Sequence, residues 1–118
     1  MTDFDVLLST VKDLLKAEAV SKNTQAICLQ SAKGELYHLT LKNALDAETE
    51  VADFMEMLRA SEDTHIARLV CMWQSGCVDL PSFAFRKNLF ALDPQNRDCL
   101  ILLQGAQGLN TRTLEASF

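Results

Sequence analysis

A chain of 118 residues with 48% apolar and 23% charged side chains is sized for one domain with a buried core, and four glycines and two prolines exclude a disordered or fibrous protein. The net charge of -5 excludes the basic field that phosphate or anionic lipid requires, so neither nucleic acid nor a membrane is expected as a partner. The charge is also unevenly placed. Residues 46–63 hold seven carboxylates (Asp46, Glu48, Glu50, Asp53, Glu56, Glu62, Asp63) against the single base Arg59. Any partner steered by charge is therefore basic.

The opening residues Met1-Thr2-Asp3-Phe4-Asp5 carry acids where a secretory leader carries positive charge, and a cytoplasmic protein is expected. Residues 3–19 read as a helix, with Thr2 and Asp5 in capping-box spacing and a stripe of Phe4, Leu7, Leu8, Val11, Leu14 and Leu15. Residues 24–30 and 35–41 read as a hairpin around Ser31-Ala32-Lys33-Gly34. Residues 46–60 read as the acidic helix, capped by Asn43 or Asp46. Its buried stripe is Ala47, Val51, Phe54, Met55 and Leu58.

Residues 65–73 read as a strand in which Ile66 to Trp73 is apolar apart from Arg68, the pattern of a central strand covered on both faces. Pro81 opens a helix over 81–92, with Phe85, Leu89 and Leu92 inward and Phe83 and Phe90 flanking; Asp93-Pro94 stops it. Residues 99–103 are a second apolar strand. The two strands joined through this helix are expected to be parallel. The fold class is α/β (α+β): one layered domain in the order α-β-β-α-β-α-β, with a mixed sheet of four or five strands. It spans 1–104, and 105–118 reads as a loose tail with one short element near Thr113.

Four cysteines (28, 71, 77 and 99) contain no C-x-x-C, so neither a zinc knuckle nor a redox pair is indicated. Cys28, Cys71 and Cys99 sit in strand-like apolar runs. Cys77 alone reads as exposed. His38 and His65 are the only histidines, and no nucleophile elbow or phosphate-cradling glycine loop is present. No catalytic residue, cofactor or metal is assigned.

The element order, with Asp46-Ala47-Glu48 opening the second helix and Cys77-Val78-Asp79-Leu80-Pro81 before the third, resembles the zinc-dependent cytidine deaminases. Those enzymes place a His or Cys, a spacer and a proton-shuttling Glu at the first position and P-C-x-x-C at the second. The resemblance implies the deaminase topology and matches Glu48 to the acid/base. It leaves Asp46 as the first ligand and a single cysteine, short of the three ligands a catalytic zinc needs.

Three functional expectations follow. The first is a non-enzymatic binding protein whose Asp46, Glu50, Asp53 and Glu56 engage a basic protein, most concretely as an immunity or antitoxin-type inhibitor of a nuclease toxin. The alternative is a small-ligand or enzymatic domain of deaminase-like topology without a complete zinc site, with a cleft near Glu48, Trp73, Cys77 and Asp79. A structural subunit of an assembly is the third reading. Its basis is the aromatic surplus of Phe83, Phe85 and Phe90, which suggests a second helix layer or a subunit interface, a homodimer being one form of the latter.

Overall fold

The computed structural model describes residues 4–17 and 21–118. The elements are α1 (Asp5–Ala17), β1 (Gln25–Ser31), β2 (Leu36–Leu41), α2 (Glu48–Ala60), β3 (Ile66–Trp73), α3 (Phe83–Leu92), β4 (Leu100–Gly105) and β5 (Gly108–Thr113). Short 3-10 helices follow α3 (Pro94–Asp98) and β5 (Glu115–Ser117). The capping role expected of Thr2 lies outside the described residues. Among those residues no helix is long and apolar enough to cross a membrane.

One sheet runs in the order β2-β1-β3-β4-β5. Among the described residues β3 pairs with β4 in parallel, through the α3 connection, and the other pairs are antiparallel. Strand parity explains the apolar runs. Ile27, Leu29, Leu69, Cys71 and Ile101 face one side, where α2 and α3 pack. Ala26, Cys28, Val70, Met72 and Leu102 face the other, where Phe4, Leu7 and Val11 of the α1 region cover them. Successive side chains on a strand point to opposite faces, so a strand buried on both has no polar alternation.

Several boundaries move. α2 begins at Glu48, two residues after the sequence reading, and Ala47 is its N-cap without a side-chain bond. Asn43 Oδ1 instead accepts from the backbone N–H of Leu45 inside its own turn, and Asp46 is not a cap. The buried stripe of Val51, Phe54, Met55 and Leu58 is as expected. α2 ends with Glu62 at φ 57°, and the N–H of Asp63 returns to Leu58 O at 3.3 Å. That is a Schellman closure with a glutamate in the left-handed seat usually given to glycine. α3 begins at Phe83, two residues after the expected opening at Pro81, and Ser82 is its cap; Ser82 Oγ accepts from Phe85 N at 3.1 Å.

The stretch 105–118 is not a loose tail. β5 pairs along all of β4, and Leu114 is fully buried in the core beneath α2 and α3. β5 escapes a sequence reading because it is an edge strand with Gly108 through Arg112 all exposed, so it shows no alternation.

Asn96, fully buried, ties the base of the crossover. Its Oδ1 accepts from Ile66 N at 2.7 Å, and its Nδ2 donates to Thr64 O and Leu89 O, both at 2.9 Å. Nearby, Tyr37 Oη donates to Asp63 Oδ2 at 2.7 Å, a bond that raises the Tyr37 pKa by stabilising its protonated form.

Candidate functional site

β2, β3 and β4 run in one direction, so the loops leaving β2 and β3 reach the N-termini of α2 and α3 at the same end of the sheet. In open α/β sheets this carboxyl end is where ligands bind. Here a cleft of about 120 Å³ opens between the two helix starts, lined by Ala44, Leu45, Ala47, Glu48, Val51, Ser82 and Ala84. Glu48 stands in the first turn of α2, where a carboxylate suits the positive end of the helix dipole.

Trp73, Cys77 and Asp79 do not line this cleft. They gather in the turn after β3. Trp73 Nε1 donates to Asp79 Oδ2 at 3.1 Å, Trp73 N donates to Cys77 O at 2.9 Å, and Gly76 takes the φ of 92° that the tight turn demands. Asp79 Oδ1 also accepts from Leu80 N at 2.7 Å. The aspartate is thus committed to holding the loop.

The start of α3 redraws the match to the deaminase motif. Pro81 immediately precedes the Ser82 cap, so the frame P-C-x-x-C falls on Pro81-Ser82-Phe83-Ala84-Phe85. The first cysteine position is Ser82, whose hydroxyl already caps the helix. The second is Phe85, fully buried and stacked on Phe54 at 6.4 Å between ring centroids. Cys77, the cysteine the sequence reading kept for the motif, lies in the preceding turn with its side chain exposed. Asp46, Ser82 and Phe85 do not make a three-donor zinc site, because a phenyl ring has no lone pair to give. Among the described residues, no three His, Cys, Asp or Glu side chains gather as a metal site would require.

The acidic face is present. Asp46, Glu48, Glu50, Asp53 and Glu56 are all exposed, and only Glu56 has an ion-pair partner among the described residues, Arg59 at 3.0 Å. That pair is solvent-screened and contributes little. Asp63 leaves the group: it is buried against Tyr37. The same face shows Met57 at 41% exposure, an apolar contact the sequence reading did not single out.

The thiols divide as expected. Burial pushes Cys28 up to about 11 and Cys99 up to about 12, and raises Cys71 as well, so all three stay protonated at neutral pH. Cys77 is exposed. With a water-soluble disulfide reagent at neutral pH, one thiol of the four should react rapidly and the other three only on unfolding. Rapid reaction of two or more would show that the core opens under native conditions.

No family model and no curated protein matches the chain by sequence. Solved structures do match by shape. Cytidine deaminase from Bacillus anthracis superposes with a TM-score of 0.72 at 13% identity, covering 97% of this chain and 85% of that one. The enzyme from Mycobacterium tuberculosis gives 0.60 at 13% identity over 97% and 92% of the two chains. That from Mycobacterium leprae gives 0.57 at 14% identity over 94% of each. At these identities the likeness is one of architecture. Over the described residues the chain is an α/β single domain with three α-helices, a five-stranded mixed sheet and a cytidine deaminase-like fold.

Proposed function

We infer that this protein is a non-catalytic binding domain built on a deaminase-like scaffold, working in the cytoplasm and engaging a basic protein partner through α2. The observation that carries the reading is the replacement of the motif positions by Asp46, Ser82 and Phe85, with Phe85 sealed in the core. Hydrolytic deamination in this architecture needs a metal to activate water. These side chains cannot hold one in the required coordination. A small-ligand role at the cleft is weakly supported, because about 120 Å³ falls below the roughly 300 Å³ at which ligand pockets begin. What the surface offers instead is charge, five exposed carboxylates at one end and along one helix.

Of the sequence expectations, the deaminase-like topology is the one the solved structures support. The comparisons lend nothing to an immunity or antitoxin role, and the proposal stops at a basic partner. Charged surfaces of this kind accelerate encounter more than they deepen affinity.

The test has two parts. Protein purified in the presence of zinc should retain no stoichiometric metal and should not convert cytidine. Stoichiometric zinc with turnover would overturn the reading. Second, a tagged protein captured from its own cells at low salt should bring down a basic protein that high salt releases. The double reversal Glu50→Lys with Asp53→Lys should slow that association by roughly tenfold or more, while the unfolding free energy falls by no more than about 1 kcal/mol, the cost of placing a cation in the first turn of α2 at an exposed site. Unchanged capture by the reversed protein would remove the acidic face from the mechanism.

A further inference from the structure

β5 ends the sheet, and its outer edge is open. Its register with β4 runs unbroken from Leu100 opposite Thr113 to Gly105 opposite Gly108, and Gly108 through Arg112 are all exposed. An edge strand carries a row of unpaired N–H and C=O groups, which proteins ordinarily blunt with proline, lysine, a bulge or a covering element. β5 has no proline, no lysine and no bulge. After Thr113 the chain turns inward to bury Leu114 in the core, and it leaves the edge uncovered.

The alternation of an antiparallel pair fixes which backbone groups point outward. Leu114 N donates to Cys99 O at 2.9 Å, so that pair belongs to the set that exchanges hydrogen bonds across the ladder. Counting back by twos, Arg112, Asn110 and Gly108 turn their backbone groups toward β4. Gln104 agrees with this phase: its N–H turns away from β5 and donates to Val78 O at 3.3 Å. The N–H and C=O groups of Leu109 and Thr111, opposite Gln104 and Leu102, therefore point away from the sheet. The side chains divide by face. Leu109, 47% exposed, stands with Thr111 and the 36% exposed Leu100 on the α1 side. Arg112, opposite Ile101, stands on the side of α2 and α3. It is the only charged residue from Cys99 to Leu114, and it has no ion-pair partner among the described residues.

We propose that β5 takes up an extended segment of another protein as a sixth strand, one with apolar or β-branched side chains at alternate positions and an acid opposite Arg112. Leu109 and Thr111 supply the main-chain bonds, Leu100 and Leu109 the apolar contact, and Arg112 selects the acid. β5 of a second copy would match the edge in hydrogen bonding but not in charge. It offers no acid, and antiparallel pairing centred on Thr111 sets Asn110 opposite Arg112 and leaves two uncompensated cations on one face. The α2 carboxylates take no part, so this proposal and the basic-partner reading fail separately.

The probe is a short synthetic peptide alternating valine and threonine around one central glutamate; its control has lysine in place of the glutamate. Fluorescence anisotropy with the intact protein should show the glutamate peptide binding about fivefold or more tightly than the control. Arg112→Glu should reverse that preference. Thr111→Pro should abolish binding of both, because proline removes an outward N–H. It costs β4 no ladder bond, so circular dichroism should show the fold intact. Amide hydrogen exchange gives a second readout. The Leu109 and Thr111 amides should exchange freely in the protein alone and gain protection when the glutamate peptide is added, while those of Asn110 and Arg112 are protected throughout. Failure of both peptides to bind would overturn the proposal. Binding that survives Thr111→Pro, or that leaves the Leu109 and Thr111 amides unprotected, would overturn it too. Protection of those two amides in the protein alone, rising with its concentration, would overturn it in favour of a second copy.

Discussion

Phe85→Ala is expected to cost about 3–5 kcal/mol, the range for removing a fully buried aromatic whose cavity the surroundings fill only in part. Phe85 is completely shielded from solvent and stacks on Phe54 across the α2–α3 contact, at 6.4 Å and an interplanar angle of 29°. It is the largest of the fully buried side chains, so its loss leaves the largest void. Urea unfolding followed by circular dichroism measures the change. Phe85→Cys, which would write the motif's second cysteine back into the chain, should also be destabilising, because a thiol fills little of the space a phenyl ring vacates. A loss below about 1 kcal/mol for the alanine variant would mean that α2 and α3 close over the gap, and that the ring does not set their spacing.

Asn96→Ala is the second large effect. The substitution removes three hydrogen bonds at once and strands the Ile66 N–H and the Thr64 and Leu89 carbonyls at the foot of β3 and the end of α3. A buried donor or acceptor left without a partner costs about 1–3 kcal/mol. One stranded donor and two stranded acceptors, partly rescued by entering water, give an expected loss of about 3 kcal/mol. Asn96→Asp separates the contributions, since the carboxylate keeps the acceptor for Ile66 N and loses both donated bonds. Hydrogen exchange should show the Ile66 amide losing protection in the alanine variant and retaining more of it in the aspartate variant. Equal protection in all three proteins would show that another group holds Ile66 N.

The fold was legible where burial leaves a periodic trace. β1, β3 and β4 announce themselves as apolar runs because both faces are covered, and the inward stripe of α2 falls at helical spacing. β5 leaves no trace, since an exposed edge strand of Asn110, Thr111 and Arg112 looks like any polar loop. Asn96 is equally silent: Pro94-Gln95-Asn96 reads as turn chemistry, and nothing in the string says that the amide points inward. The candidate site was half legible. Glu48 sits at a helix start as read, but the motif was compared from Cys77; with P-C-x-x-C set instead at Pro81, just before the Ser82 cap of α3, its cysteine positions fall on Ser82 and Phe85. Phe85 itself was assigned to the core from its spacing with Leu89. What sequence could not show is that the core position and the second cysteine position are one and the same.

Phe85 also changes what this fold depends on. Where a metal joins two helix starts, its binding free energy becomes part of the folding free energy, and stability rises and falls with metal supply. A phenyl ring stacked between α2 and α3 makes that joint from the chain's own atoms. The spacing of the two helices is then expected to withstand chelators, and an unfolding curve unchanged by a chelator would show that the joint is made by the ring alone.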